Sequence, residues 1–124
     1  MIKIDNISGN IVKVLVPELL KADDFTELAT QADALIKKHG KIRLLVDASD
    51  FDGWENLPAF QKHLAFVKSH QKKVERIAVI AKHNWQHWMI GIMQAFVHPD
   101  IHVFDKDEAG KALQWISEEK KLSA

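Results

Sequence analysis

The chain has 124 residues, a length that suits one compact domain with its own hydrophobic core over residues 1–124. Its 47% hydrophobic and 27% charged residues are typical of a globular protein and exclude disordered, fibrous and membrane-spanning classes. The absence of cysteine excludes disulfides, thiolate metal sites and thiol nucleophiles, and it fits a reducing cytoplasm. The 17 basic and 17 acidic residues leave no net charge to attract nucleic acid, so no nucleic-acid partner is expected.

The first half of the chain predicts a β-hairpin followed by a helix. Two β-branched segments, 2–7 and 11–16, flank Ser8-Gly9-Asn10, and Pro17 ends the second strand. Asp23 or Asp24 is expected to cap the helix, with Glu27 as a capping-box partner and Gly40 as the stop. The apolar residues of this helix recur at helical spacing: Phe25, Leu28, Ala29, Ala32, Leu35 and Ile36.

The second half alternates strands and helices. Residues 42–48 and 74–81 are nearly continuous apolar segments, as expected of strands covered on both faces. Pro58 is well placed as the first residue of a helix. We expect that helix to turn Phe60, Leu64 and Val67 inward and Lys62, His63 and Lys68 towards solvent. Residues 84–97 predict a further helix and 101–104 a short strand. A last helix, capped by Asp107, is expected to reach about residue 120 and to bury Leu113 and Ile116.

This order, β-β-α-β-α-β-α-β-α, predicts an α/β fold with an open mixed sheet. Most strands are expected to be parallel and joined by right-handed crossovers, with one antiparallel hairpin at the start. Ligands usually bind at the carboxyl ends of the strands in such sheets. Those ends carry the acidic and aromatic segment 47–54 and the residues after 81 and 104. The opposite edge is predicted to be basic, through Lys37, Lys38, Lys41, Arg43, Lys72, Lys73 and Arg76.

The segments GKIRLLVDASDFDGW (40–54) and ERIAVIAKHNWQHW (75–88) resemble the SpoIIAA-like family. That family has a fold related to STAS domains and to the lipid-binding part of CRAL-TRIO proteins. The resemblance implies a small binding or regulatory domain without shared catalytic residues. Anti-sigma-factor antagonists of the STAS class carry a phosphorylatable Ser in an Asp-Ser-Gly turn after the central strand. This chain has Asp47-Ala48-Ser49-Asp50 there, without that pattern, so Ser49 is expected to be a turn hydroxyl.

The helix predicted over residues 84–97 is unusually apolar. Its apolar arc covers roughly 220°, whereas about 100° suffices to face a core. Such a helix has to cover the sheet and a second surface, which could be a neighbouring helix, another subunit, an apolar pocket or a bilayer. Gly91 lies within it and is predicted to be a hinge, because glycine weakens a helix.

The histidines and aspartates predict no metal site, cofactor or catalytic centre. His83 and His87 are four residues apart on one helical face, and His98 and His102 are four apart across Pro99. Asn84, however, stands where a metalloprotease helix has Glu. The aspartates at predicted strand ends are typical of turns and helix caps: Asp47, Asp50, Asp52 and Asp105.

Two functions are open at this point. The first is a non-catalytic module that binds an apolar or amphipathic, lipid-like ligand or associates peripherally with the inner face of a membrane. Its predicted binding residues are Trp54, Trp85, Trp88, Met89, Ile92, Met93 and Phe96. The alternative is a STAS-like regulatory module for protein–protein interaction, with a regulatory loop at Asp47, Ser49, Asp50 and Phe51. A homodimer is a possible assembly in either case. The sequence carries no apolar segment that could serve as a signal peptide or span a bilayer.

Overall fold

The computed structural model describes residues 2–82 and 100–118. The strands within these ranges are β1 (Lys3–Ser8), β2 (Ile11–Leu15), β3 (Leu19–Leu20), β4 (Ile42–Ala48), β5 (Gly53–Trp54), β6 (Val74–Ala81) and β7 (Asp100–Asp105). The helices within them are α1 (Ala22–His39), α2 (Leu57–His70) and α3 (Ala109–Ser117). Short 3-10 turns at Gln71–Lys73 and Lys106–Glu108 precede β6 and α3. The helix predicted over 84–97 lies outside the described residues.

The main sheet confirms the predicted α/β fold class. Its strand order is β1-β2-β4-β6-β7. The β1–β2 pair is antiparallel, whereas β2, β4, β6 and β7 run parallel to one another. The result is an open mixed sheet that starts with a hairpin, as the alternating elements predict.

The strand register separates the two faces of the sheet. Val14, Val46, Val79 and Val103 lie in one row across four strands. This row packs with α1 and α2 in the larger hydrophobic cluster. The neighbouring row contains Leu45 and Ala78, which pack with α3 in a second cluster. Both faces of β4 and β6 are therefore covered by helices, which is why these two strands lack polar alternation.

The sequence did not predict a second, two-stranded sheet formed by β3 and β5. Leu19 pairs with Gly53, and Leu20 with Trp54. Backbone bonds extend this pairing, since the Asp52 N–H donates to the Glu18 carbonyl (2.8 Å). Strands of two residues are too short to show a periodic sequence pattern. The β3–β5 pair nevertheless holds the segment after β4 against the segment after β2.

The start of α1 differs from the prediction. Lys21, rather than an aspartate, is the N-cap residue, and Asp24 occupies the third helical position. The Asp24 carboxylate accepts hydrogen bonds from the backbone N–H groups of Lys21 (2.9 Å) and Ile2 (3.1 Å). Glu27 instead accepts from the Gln31 side chain (2.6 Å). Asp24 therefore ties the helix to the residue that precedes β1, a long-range contact that the local pattern does not encode.

The start of α3 also differs from the prediction. Asp107 lies within a 3-10 turn, and the Asp105 N–H donates to the Glu108 carboxylate (3.0 Å) ahead of the helix. This bond lowers the pKa of Glu108. Ile116 is fully buried as predicted, but Leu113 is 42% exposed, so its predicted inward position is wrong. The helix is only nine residues long and covers β4 and β6 through Ala112 and Ile116.

Two arginines assigned to the basic edge hold the end of α3 instead. Arg43 and Arg76 are register partners on β4 and β6, so their side chains reach the same face of the sheet. Arg43 Nη1 donates to the Ile116 carbonyl (3.0 Å), and Arg76 Nη1 to the Trp115 carbonyl (2.9 Å). Helix carbonyls at a C-terminus lack intrahelical partners, and these guanidinium groups supply them. The exposed charge predicted at this edge is therefore confined to lysines.

Candidate functional site

The carboxyl edge of the main sheet contains a cleft of about 380 Å³. The ends of β2 and β6 and the loop after β4 meet there, as expected where parallel strands end. We call this feature the carboxyl-edge cleft; its lining residues are Leu15, Val16, Pro17, Glu18, Asp50, Asp52 and Lys82. The predicted binding edge thus coincides with a concave surface. The sequence did not predict that residues 15–18 would line this surface.

One ion pair crosses the cleft. Lys82 Nζ donates to Asp52 Oδ1 at 2.8 Å. This hydrogen bond from the Lys82 ammonium holds the pKa of Asp52 below its usual value. The same contact raises the pKa of Lys82. Both side chains are partly exposed, so the pair contributes little to stability. Glu18 and Asp50 add two further carboxylates beside this lysine, so the lining that residues 2–82 contribute to the cleft is acidic.

Three exposed leucines lie close along the chain to the segments that line the cleft, and one of them, Leu15, lines it. Leu15 is 36% exposed, Leu19 45% and Leu57 65%. These residues come from the end of β2, from β3 and from the first position of α2, which directly follows β5. Single exposed leucines are ordinary, but several at one edge form an apolar surface of the kind that marks a contact site.

Of the four predicted regulatory residues, Ser49 and Phe51 are buried and Asp47 is half-buried. Ser49 Oγ donates to Asp47 Oδ1 at 2.6 Å, and the Ser49 N–H donates to the same oxygen at 3.1 Å. Ser49 is only 9% exposed, and Phe51 is buried in the core at 4% exposure. A phosphoryl group on Ser49 would remove the proton that this hydroxyl donates to Asp47, and it would place negative charge beside the Asp47 carboxylate. Asp50 is the exposed member of this set.

Trp54, a predicted ligand-binding residue, packs within an aromatic cluster beside the cleft. Its ring meets Phe51 and Phe60 edge-on, at centroid distances of 5.1 and 4.8 Å. Its Nε1–H donates to His63 Nδ1 at 3.1 Å. The indole is half-buried and anchors β5 to α2. A role for Trp54 in ligand binding stays a prediction.

His63 is half-buried rather than exposed, so the predicted solvent position of this residue is wrong. Its ring stacks on Phe25 of α1, with centroids 5.0 Å apart and planes inclined by 21°. Burial lowers its pKa to about 4, because the charged form loses its hydration. The sequence contained a signal for this placement. Position 63 lies three residues after Phe60 and four before Val67, which places it on the apolar face of α2.

The remaining predicted binding residues and the predicted hinge lie outside the described residues: Trp85, Trp88, Met89, Gly91, Ile92, Met93 and Phe96. His83, His87 and His98 also lie outside them. His102 stacks on Trp115 with ring centroids 4.2 Å apart. Over residues 2–82 and 100–118, no group of three or more potential ligands could hold a metal ion. In the same ranges, no helix is long and apolar enough to cross a membrane.

A match to a protein-family model shows the family to which the chain belongs. The model described as SpoIIAA-like matches residues 11–117, which is most of the chain. The chain belongs to the SpoIIAA-like family. An uncharacterised protein from Shewanella loihica PV-4 with a SpoIIAA-like fold superposes on this family member with a TM-score of 0.74 and 21% identity. That alignment covers 94% of this chain and 92% of the Shewanella chain.

The anti-sigma factor antagonist SpoIIAA, in its unphosphorylated form, is also similar. It aligns with a TM-score of 0.66 and 9% identity, covering 92% of this SpoIIAA-like chain and 98% of its own. No curated protein matches the sequence. At these identities the two solved structures show a shared fold, and they assign no individual residue a role.

Proposed function

We propose that this SpoIIAA-like chain is a protein-interaction module that docks a partner at the carboxyl-edge cleft. The observation that carries the proposal is the combination of exposed Leu15, Leu19 and Leu57 with an acidic cleft at one edge of the sheet. Interfaces bury an apolar centre and keep a polar rim, and this edge offers both.

The charges of the cleft indicate the chemistry of the partner. Lys82 is already paired with Asp52, which leaves Glu18 and Asp50 to attract cations. Asp50 is exposed, and so is Glu55 just before α2, although the Glu55 carboxylate lies 4.0 Å from Lys21 Nζ. A partner segment with apolar side chains and flanking lysines or arginines complements this surface. Opposite charges mainly speed the encounter, whereas the leucines supply most of the buried area.

The family supports a protein partner over other ligands. One similar structure is an anti-sigma factor antagonist, a protein whose name describes an action on another regulator. Regulation through loop residues 47–54 stays part of the proposal, with Asp50 and Asp52 as its exposed carboxylates. Because the Ser49 hydroxyl is buried against Asp47, we infer that docking does not depend on Ser49 phosphorylation.

The lipid-like ligand, the membrane surface and the homodimer stay predictions. Apart from Trp54, the residues predicted for them belong to the segment 84–97, which lies outside the described residues. The similarity to the lipid-binding part of CRAL-TRIO proteins likewise stays a prediction. A membrane role at that segment and a protein-docking role at the carboxyl-edge cleft are compatible, since they use different residues.

Site-specific photo-crosslinking tests the docking surface. A benzophenone amino acid replaces Leu57 in cells that produce the protein naturally, and a matched variant carries it at Leu113. Both leucines are exposed, at 65% and 42%, but Leu113 lies on α3, which covers the opposite face of the sheet from α2. We expect one discrete protein adduct from position 57 and none from position 113.

Binding measurements with the crosslinked partner then test the chemistry. Leu57→Glu and Asp50→Lys are each expected to weaken its affinity by about tenfold or more, equivalent to about 1.4 kcal/mol. Leu113→Glu is expected to leave the affinity unchanged. Equal adducts from both positions, or unchanged affinity in the Leu57→Glu variant, would contradict the proposal.

A further inference from the structure

A second concave feature is bordered by α1, α2 and the main sheet. An apolar cavity of about 160 Å³ separates α2 from the sheet, and α1 closes a third side. We call it the core cavity. Its lining includes Leu44 and Val79 of the sheet, Leu28 of α1, and Leu64 and Val67 of α2.

A void of this size is unusual in a protein core. Interiors pack as densely as organic crystals and rarely leave spaces larger than a water molecule. Here α2 stands away from the sheet, and Ala59 is its only buried residue. Leu64 and Val67 line the cavity but are only half-buried. The apolar face of α2 is therefore incompletely packed against the rest of the core.

The lining also supplies one uncommitted hydrogen-bond donor. The indole N–H of Trp54 can only donate, so His63 Nδ1 accepts and the ring proton of His63 resides on Nε2. Within residues 2–82 and 100–118, the hydrogen bond of the His63 side chain uses Nδ1 and leaves the Nε2–H without an acceptor. The second histidine of the lining, His70, is engaged on both nitrogens, by the Asp33 carboxylate (2.7 Å) and the Phe66 carbonyl (2.9 Å).

We propose that the core cavity is a binding site for a small apolar molecule that carries one hydrogen-bond acceptor. An apolar cavity of about 150 Å³ stays dry and accommodates benzene, which sets the size of the ligand at roughly one six-membered ring. Sites for drug-sized ligands are larger, about 300–1,000 Å³, so a bulky ligand does not fit. The ring of the ligand replaces the missing packing between α2 and the sheet, and its acceptor takes the His63 Nε2–H.

Nuclear magnetic resonance of the intact chain with two probes, benzene and phenol, tests this site. Benzene is expected to bind saturably and to give nuclear Overhauser contacts to the methyl groups of Val79 and Leu44. Phenol is expected to occupy the same place and, unlike benzene, to shift the Nε2 resonance of His63. Absence of saturable binding overturns the site, as does contact of benzene with methyl groups elsewhere only. An identical Nε2 response to both probes overturns the hydrogen bond.

A pair of matched variants locates the site independently. Leu64→Trp fills the core cavity, whereas Leu113→Trp adds the same bulk on α3, beyond the other face of the sheet. We expect Leu64→Trp to weaken benzene binding by about tenfold or more, and Leu113→Trp to leave it within about twofold. The reverse pattern overturns the proposal. If Leu64→Trp does not fold, the contacts of benzene with Val79 and Leu44 in the unaltered protein decide the question alone.

Discussion

The imidazole of His63 is kept neutral by its apolar surroundings rather than by a charged neighbour. Phe25 of α1 covers one side of the ring, and Trp54 of β5 occupies its Nδ1. Neither of these side chains titrates near neutral pH. Protonation would place a charge in the core and would remove the acceptor of the Trp54 indole N–H. The histidine is thus part of the link between β5, α1 and α2.

This placement predicts a pH dependence of stability. The pKa of His63 falls from 6.5 in the unfolded chain to about 4 in the folded protein. As pH falls, the unfolded chain therefore binds the proton first. The contribution of neutral His63 is fully present above pH 6.5, and it is lost progressively between pH 6.5 and about 4. The loss amounts to about 3 kcal/mol.

Urea denaturation of variants at several pH values checks this expectation. The His63→Leu variant has no imidazole to protonate at this position. Between pH 6.5 and about 4, its free energy of unfolding should therefore fall by about 3 kcal/mol less than that of the unaltered protein. His39→Leu provides the control, because His39 is exposed at the end of α1. A decline that is unchanged in His63→Leu would contradict the assigned burial.

The apolar periodicity of α2 limits what can be predicted at single residues. Phe60, Leu64 and Val67 mark the inward face, and His63 lies within it by spacing alone. Histidine is common both inside and outside proteins, so its type did not decide its place. Its environment depends on Phe25 and Trp54, which are distant in sequence. The pattern therefore predicts the face but not the chemistry on it.

At the scale of elements, two glycines with similar space around them differ in backbone conformation. Gly40 ends α1 with φ at +83°, whereas Gly110 lies inside α3 with ordinary helical geometry. A Cβ atom added at either position would meet nothing within 4 Å. Any difference between alanine substitutions at these sites therefore arises from backbone conformation alone.

Alanine substitutions are expected to have opposite signs at the two sites. Gly40→Ala should lower the free energy of unfolding by about 1–2 kcal/mol, because an L side chain disfavours this positive φ. Gly110→Ala should raise it by roughly 0.5–1 kcal/mol, since alanine loses less backbone entropy in a helix. Equilibrium urea unfolding with an unchanged slope measures both changes. Changes of the same sign would argue against a purely conformational cause.

Local sequence patterns predict some of these elements well and others not at all. The apolar repeat, Gly40 and the continuous segment 42–48 determine α1 and β4 closely. The β3–β5 pair could not be predicted, because it is held by hydrogen bonds between segments more than 30 residues apart in sequence. The caps of α1 and α3 were misplaced for a related reason. Asp24 also serves Ile2, and the end of α3 is bound by Arg43 and Arg76 from the sheet.

At the scale of the whole molecule, the sheet order predicts how stability is distributed. β4 and β6 have hydrogen-bonded neighbours on both sides and helices on both faces. β1 is an edge strand, and most of its residues are exposed. Opening β1 exposes little apolar surface, whereas opening β4 requires the loss of both hydrophobic clusters.

Native-state hydrogen exchange tests this distribution. Amides of Leu45 and Val79 are expected to exchange only through global unfolding, with opening free energies equal to the stability from urea unfolding. Amides of β1 should open at a free energy lower by about 2 kcal/mol or more. Equal protection in β1 and β4 would contradict the expected order.

The sequence by itself determined the alternation of strands and helices, the parallel sheet with its initial hairpin, and the edge at which the loops converge. These features follow from side-chain period, chain chirality and the conformational limits of glycine and proline, which act over a few residues. Only the tertiary structure decided the neutral, ring-stacked environment of His63, the binding of α3 by Arg43 and Arg76, and the shapes of the carboxyl-edge cleft and the core cavity. Each of these depends on contacts between distant segments, whose energies no local pattern contains.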